Sequence, residues 1–391
     1  WGEGMQILLS RASLIFPVLG AILLCVNISP IIKDRSFWRV HKSFKYLLLF
    51  IIFHSIIFIL FNPSVLQLGK NERAIQQDFV FMAANSGEII IRYFLFMILS
   101  LLLTYLFRKR EALLFFCLFY VIGFVLTIII GGYSNNYSGI FRISGGLSDP
   151  NAMAFEGITS LCVSLFLLRN ITKRWLRIIV VIMAIISACS ILLSFSRGAM
   201  LALIIGVLFY YIKYGQIRGI IISTIFVLLF APIILHFVPS EIKQLTEMRF
   251  SIVDAKEKGG AGRFEIWTDY LSISENYAIT GMGVGNGRSA LVKYSSTNET
   301  RETHNQYLLY FVEFGIIGFL LYLFFLFHLV GLLKSTNFHD SDFFLSVSIL
   351  SMLIVTMFLN TDKGRTFWIV ISFANYMFWR RQNKQLQNSE L

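Results

Sequence analysis

Runs of about twenty consecutive apolar residues, repeated along the chain and separated by short charged linkers, leave this sequence few folds to adopt. A backbone crossing lipid must satisfy every amide and carbonyl within itself, so such runs become bilayer-spanning helices. Of the 391 residues, 14% are charged and 56% are hydrophobic, whereas a soluble globular protein carries about 25% charged residues. That deficit excludes an ordinary cytosolic enzyme, a disordered chain and a nucleic-acid binder with a solvated basic face. The 4 cysteines, Cys25, Cys117, Cys162 and Cys189, lie inside apolar runs with no CxxC spacing. They read as small buried hydrophobes, not as a disulfide framework or a metal site.

The pattern predicts an all-α, polytopic integral membrane protein with about eleven transmembrane helices, within a range of about ten to twelve. The expected spans are 7–29, 44–61, 89–107, 112–132, 151–168, 176–195, 198–212, 219–238, 306–333, 342–360 and 365–380. The whole chain, 1–391, reads as a single membrane domain. Its linkers alternate in charge. One set gathers Lys33, Arg35, Arg39, Lys42 and Lys45, then the clusters at 108–110, 169–177, 213–218, 334 and 380–384. With Asp34, Glu111, Asp340, Asp342 and Glu390 in the same linkers, that set holds 18 basic and 5 acidic residues, and everything else holds 16 and 17. The positive-inside rule places the first set in the cytoplasm, with the N-terminus outside and the C-terminus inside. The net charge of +12 then reports orientation and contact with anionic headgroups, not a nucleic-acid partner.

Loop lengths narrow the chemistry. The cytoplasmic linkers are too short for a catalytic or nucleotide-binding domain. The outer segments 62–88 and 133–150 are moderate, and 239–305 is long enough to expect a function. Chemistry is therefore expected on the outer face, where nucleotide-activated substrates are absent.

Five features on that face are candidates. Arg142 precedes Gly145, Gly146 and Asp149-Pro150-Asn151, a tight turn into a helix that Asp149 or Asn151 would cap; the plain alternative is a capped helix with one solvated Arg. Arg197, in Ser196-Arg197-Gly198, sits in a turn of a few residues at the hydrocarbon boundary, where a charge is costly unless it snorkels or pairs. Arg263 follows Gly262 and precedes Phe264, Trp267 and Leu271. Their spacing, with Tyr270 beside them, predicts an amphipathic helix from 264 to 274 inside the 239–305 loop. The glycine-rich run Gly281-Met282-Gly283-Val284-Gly285-Asn286-Gly287 has no strand–turn–helix around it and reads as a flexible turn, not a dinucleotide loop. His304-Asn305 stands just before a span, and nine residues separate Asn305 from Gly315-Ile316-Ile317-Gly318. A histidine titrating near neutrality suits general-base work. Asp340-Ser341-Asp342, which mimics a metal-binding pair of carboxylates, reads instead as a solvated helix start.

Taken together, Arg142 with Asp149-Pro150-Asn151, Ser196-Arg197-Gly198, Gly262-Arg263 with Trp267, and His304-Asn305 with Gly315-x-x-Gly318 resemble the bacterial O-antigen ligase and Wzy polymerase superfamily. The resemblance spans about residues 140–320. It implies a membrane glycosyltransferase on the outer (periplasmic) face of the cytoplasmic inner membrane. The implied donor is an undecaprenyl-diphosphate-linked oligosaccharide, used without metal or cofactor. His304 is then the expected catalytic base, with Asn305 or Glu302 orienting it. Arg142, Arg197, Arg263, Asn151 and Asn305 are the expected diphosphate or glycan contacts. Polymerisation of O-antigen or capsule-type repeat units by inverting transfer is the first expectation, with a chain-length regulator as a possible partner. A ligase transferring the glycan to lipid A core in lipopolysaccharide assembly is the alternative. A transporter for lipid-linked sugar belongs to a different class, and matching inverted halves would signal it; none are visible.

Overall fold

The computed structural model describes residues 42–61, 86–131, 133–135, 141–144, 149–215, 218, 221, 262–287, 291, 301–334, 341–362 and 364–389. Among them are ten helices and one small ribbon. The helices are α1 (Lys42–Phe61), α2 (Ser86–Leu106), α3 (Arg110–Gly131), α4 (Pro150–Asn170), α5 (Arg174–Leu193), α6 (Arg197–Lys213), α7 (Arg263–Tyr277), α8 (Gln306–Lys334), α9 (Phe343–Val355) and α10 (Arg365–Ser389). Between α3 and α4, strands β1 (Tyr133–Asn135) and β2 (Phe141–Ile143) pair antiparallel. The expected all-α class thus gains a short hairpin, in a stretch with too few residues for hydropathy to register.

Five helices among the described residues, α2, α3, α4, α5 and α8, are long and apolar enough to cross a membrane. The protein is a helical, multi-pass membrane protein. The expected spans 44–61, 198–212, 342–360 and 365–380 fall on α1, α6, α9 and α10. Of these, α9 has only 13 residues, and at about 1.5 Å per residue it is shorter than a bilayer core. The expected span 7–29 lies outside the described residues, as does all of 219–238 except residue 221.

The chain forms two compact units. The first draws on Trp1–Cys117, Ile266–Ser335 and Thr356–Leu391, the second on Leu118–Glu265 and Thr336–Val355. In the second unit α4 is the central helix: 67% of it is buried, against 28–39% of the other four spanning helices. Small residues let its neighbours approach. A side chain at Gly157 would meet Ser190 Oγ at 2.9 Å, and the Ser160 and Ser187 hydroxyls bond at 2.9 Å. Close backbone approach and interhelical hydroxyl bonds hold helices together where lipid supplies no hydrophobic drive. Helix α9 packs on α4 and α6, with the Arg169 guanidinium 4.6 Å above the Phe344 ring. Asp342 does start α9, through its carbonyl, but it is buried, not solvated.

In the first unit α2 packs on α10, and α8 packs on α1 and α10. Phe107 and Phe373 stack at 5.6 Å. Helix α8 is broken at Gly315, whose φ of 63° and ψ of −169° lie outside any helical region. The break exposes backbone groups that lipid cannot satisfy. The glycine-rich run meets them: the Met282 and Gly283 amides each donate at 2.9 Å, to the Val312 and Glu313 carbonyls, and the Ile316 amide donates to Ala278 O at 2.7 Å. His54 Nε2 of α1 donates to Thr280 O at 2.5 Å. The run expected to be a flexible turn is an ordered loop seated against the broken helix.

Candidate functional site

In the second unit, the start of α4 is built by Asp149. Its Oδ1 accepts from the Asn151 backbone amide at 2.8 Å and from Asn151 Nδ2 at 2.9 Å. Pro150 takes the first helical position, where its missing N–H costs nothing. Asp149 is therefore the cap, and Asn151 is bound to it. The turn from α5 to α6 is made by Ser194, Phe195 and Ser196. Phe195 adopts a left-handed φ of 50°. Ser194 Oγ accepts from the Ser196 amide at 3.2 Å, and Ser196 Oγ accepts from the Ala199 amide at 3.4 Å. This makes Arg197 the first residue of α6. In the same way Gly262, at φ 77°, turns the chain so that Arg263 opens α7.

Arg197 and Arg263 are electrostatic neighbours. Burial pushes the Arg263 guanidinium below its ordinary value, Arg197 pushes it further the same way, and Asp149 opposes both. Each arginine stands in the first turn of a helix, where unsatisfied amides already carry positive potential. A cation there is disfavoured by about 0.3–1 kcal/mol at an exposed end, and two mutually repelling cations add to the cost. An anion would relieve both terms, and amides with guanidinium forks are the donors that phosphate oxygens select. Arg142 lies on β2 opposite Ser134, and β2 packs against α4 and α5.

His304 and Asn305 belong to the first unit. His304 has a left-handed φ of 45°, uncommon for a residue with a side chain. Its Nδ1 is buried and makes no hydrogen bond, so neither Asn305 nor Glu302 orients the ring through that atom. Asn305 caps α8: its Oδ1 accepts from the Leu308 amide at 3.1 Å. Trp267 Nε1 donates to Thr303 O at 2.8 Å, Tyr270 OH donates to Arg301 O at 3.0 Å, and Thr303 Oγ1 donates to Asn360 Oδ1 at 3.1 Å.

Helix α7 extends past its expected end to Tyr277. Ile266, Tyr270 and Ile273 pack with Leu291, Leu309 and Val312, with Trp267 beside them, whereas Phe264 and Leu271 are exposed. Sequence reasoning also missed the link from Asp149 to the arginine pair and the whole 356–362 segment. Neither has a local signal, since the partners lie dozens of residues apart.

No curated protein matches the chain. Residues 182–323, just over a third of the chain, match the family model described as O-antigen ligase. The matched stretch contains Arg197, Arg263, His304 and Asn305 and begins beyond Arg142 and Asn151, so over that part the chain is similar to the O-antigen ligase family.

Proposed function

We propose that this protein is a glycosyltransferase that polymerises O-antigen or capsule-type repeat units. It works on the outer face of the cytoplasmic membrane and takes its glycan from an undecaprenyl-diphosphate carrier. The observation that carries this reading is the Arg197–Arg263 pair, each at a helix start, with Arg197 adding to the cost of charge on Arg263. The topology completes it: about eleven spans, with 239–305 as one long outer loop and basic linkers inside.

The carrier's isoprenoid tail lies among the helices, and its diphosphate reaches the interface. Arg197 and Arg263 hold the diphosphate, with Arg142 assisting or contacting glycan. As the bond between the anomeric carbon and the phosphate oxygen breaks, its electron pair passes to that oxygen. Fixed guanidinium groups stabilise this growing charge more than the ground state. His304 accepts the proton of the acceptor sugar hydroxyl, whose oxygen attacks the anomeric carbon from the opposite side. Single displacement inverts that carbon. Asn151 acts through Asp149, and Asn305 through the start of α8.

The family description favours a second reading, transfer of the finished glycan to lipid A core. One experiment separates the two. Purified protein in detergent is incubated with a defined lipid-diphosphate repeat unit alone, and products are resolved by length. A ladder of chain lengths with release of polyprenyl diphosphate is the expected result. Transfer only after lipid A core is added identifies a ligase. No transfer under either condition removes both and leaves a transport role.

A further inference from the structure

We infer that Gln306 is a positioning residue for His304, acting through a brace formed by residues 356–362. The inference rests on the reading of His304 as the general base. A catalytic histidine is ordinarily aimed by a hydrogen bond at the far ring nitrogen. His304 Nδ1 makes none, so the direction of the ring is set by the backbone that carries it. That backbone is held in the left-handed region, which a non-glycine residue keeps only when its surroundings over-determine it.

Both flanks of His304 are tied to the same segment. Before it, the Thr303 hydroxyl bonds to the Asn360 side chain at 3.1 Å. After it, the Gln306 amide donates to Thr356 O at 2.9 Å. Gln306 Oε1 then accepts three hydrogen bonds, from the Thr361 amide and hydroxyl at 3.0 Å each and from the Asp362 amide at 3.3 Å. Two backbone donors on one atom require an oxygen there.

The brace is anchored in turn. Trp368 Nε1 donates to Asp362 O at 2.7 Å, and Tyr93 OH donates to the Asp362 carboxylate. Gln306 is fully buried, and its Nε2 has no partner. A buried carboxamide with an unsatisfied N–H is disfavoured against an apolar residue of similar size unless its oxygen is needed. The need identified here is a rigid Thr303–Gln306 turn that fixes where the imidazole points.

The test measures kcat and donor KM of purified full-length protein with a defined lipid-diphosphate oligosaccharide, normalised to folded protein. Gln306→Met keeps volume and removes the acceptor. It should lose about ten- to hundredfold in kcat, since small misplacements of a catalytic group cost that much, while KM stays within about twofold. Gln306→Glu restores the acceptor and should recover part of the loss. Thr361→Val, which leaves both backbone donors and hence the fold, should lose several-fold in kcat. Wild-type kcat in Gln306→Met and Thr361→Val, alongside an inactive His304→Ala, would overturn the brace and leave the base standing. A raised KM with no recovery in Gln306→Glu would reduce Gln306 to a structural role. Wild-type turnover in His304→Ala would remove the underlying reading itself.

Discussion

At the scale of single residues, charge placement is the informative quantity. Arg197 and Arg263 each sit where their own helix disfavours a cation, and Arg197 further disfavours the charge on Arg263. We expect Arg263→Lys and Arg197→Lys to lose about 10²–10³ in kcat/KM, because a point charge does not replace a two-pronged donor; initial rates of polymer formation would check this. Asp149→Asn is the complementary change. Asparagine caps a helix as well as aspartate, so α4 should keep its start while the arginine pair loses its opposing charge. Inorganic pyrophosphate should then inhibit about two- to tenfold more tightly, and unchanged inhibition would show that Asp149 does not tune anion affinity. The residues themselves were legible in the sequence, since a charge beside an apolar run is conspicuous. Their pairing was not, because Arg197 and Arg263 lie 66 positions apart and nothing local records that two helix starts are neighbours.

At the scale of elements, the break in α8 carries the most consequence. Hydropathy showed one uninterrupted span over 306–333, and the Gly315-x-x-Gly318 spacing was recognised only as a resemblance. The structure supplies a physical reason for both glycines. A side chain at Gly315 would lie 2.3 Å from Ile279 O, and one at Gly318 would lie 2.3 Å from the Phe314 side chain. Gly315→Ala should therefore cost more than the ~1–3 kcal/mol of a forced backbone alone, whereas Gly331→Ala, in open space on the same helix, should be neutral or slightly stabilising. Monodisperse protein remaining after graded heating, read by size-exclusion chromatography, would compare them. Periodicity found α7 but not which of its apolar residues meet the core, because a face is apolar only relative to what it packs against. The hairpin β1–β2 and the 356–362 brace left no periodic trace at all.

At the scale of the whole molecule, orientation follows from charge. The excess of lysine and arginine is confined to alternate linkers, which predicts that 169–177 faces the cytoplasm and 239–305 the exterior. In a cysteine-free background, a membrane-impermeant thiol reagent added to intact cells should label Ser251→Cys and spare Thr172→Cys; the reverse pattern would invert the topology. Membrane class was the most legible property, being an average over many residues. The architecture of two units, each stitched from separated stretches, was not, because hydropathy does not say which helices touch.

The seam between α8 and the 278–283 loop also imposes an order on biogenesis. A ribosome makes His54 first, the loop next and the two halves of α8 last. Until residues 312–316 have been translated, the loop's amides have no carbonyl to meet. The loop must stay wet or shielded during insertion, and it locks only when the final partner slides in beside it.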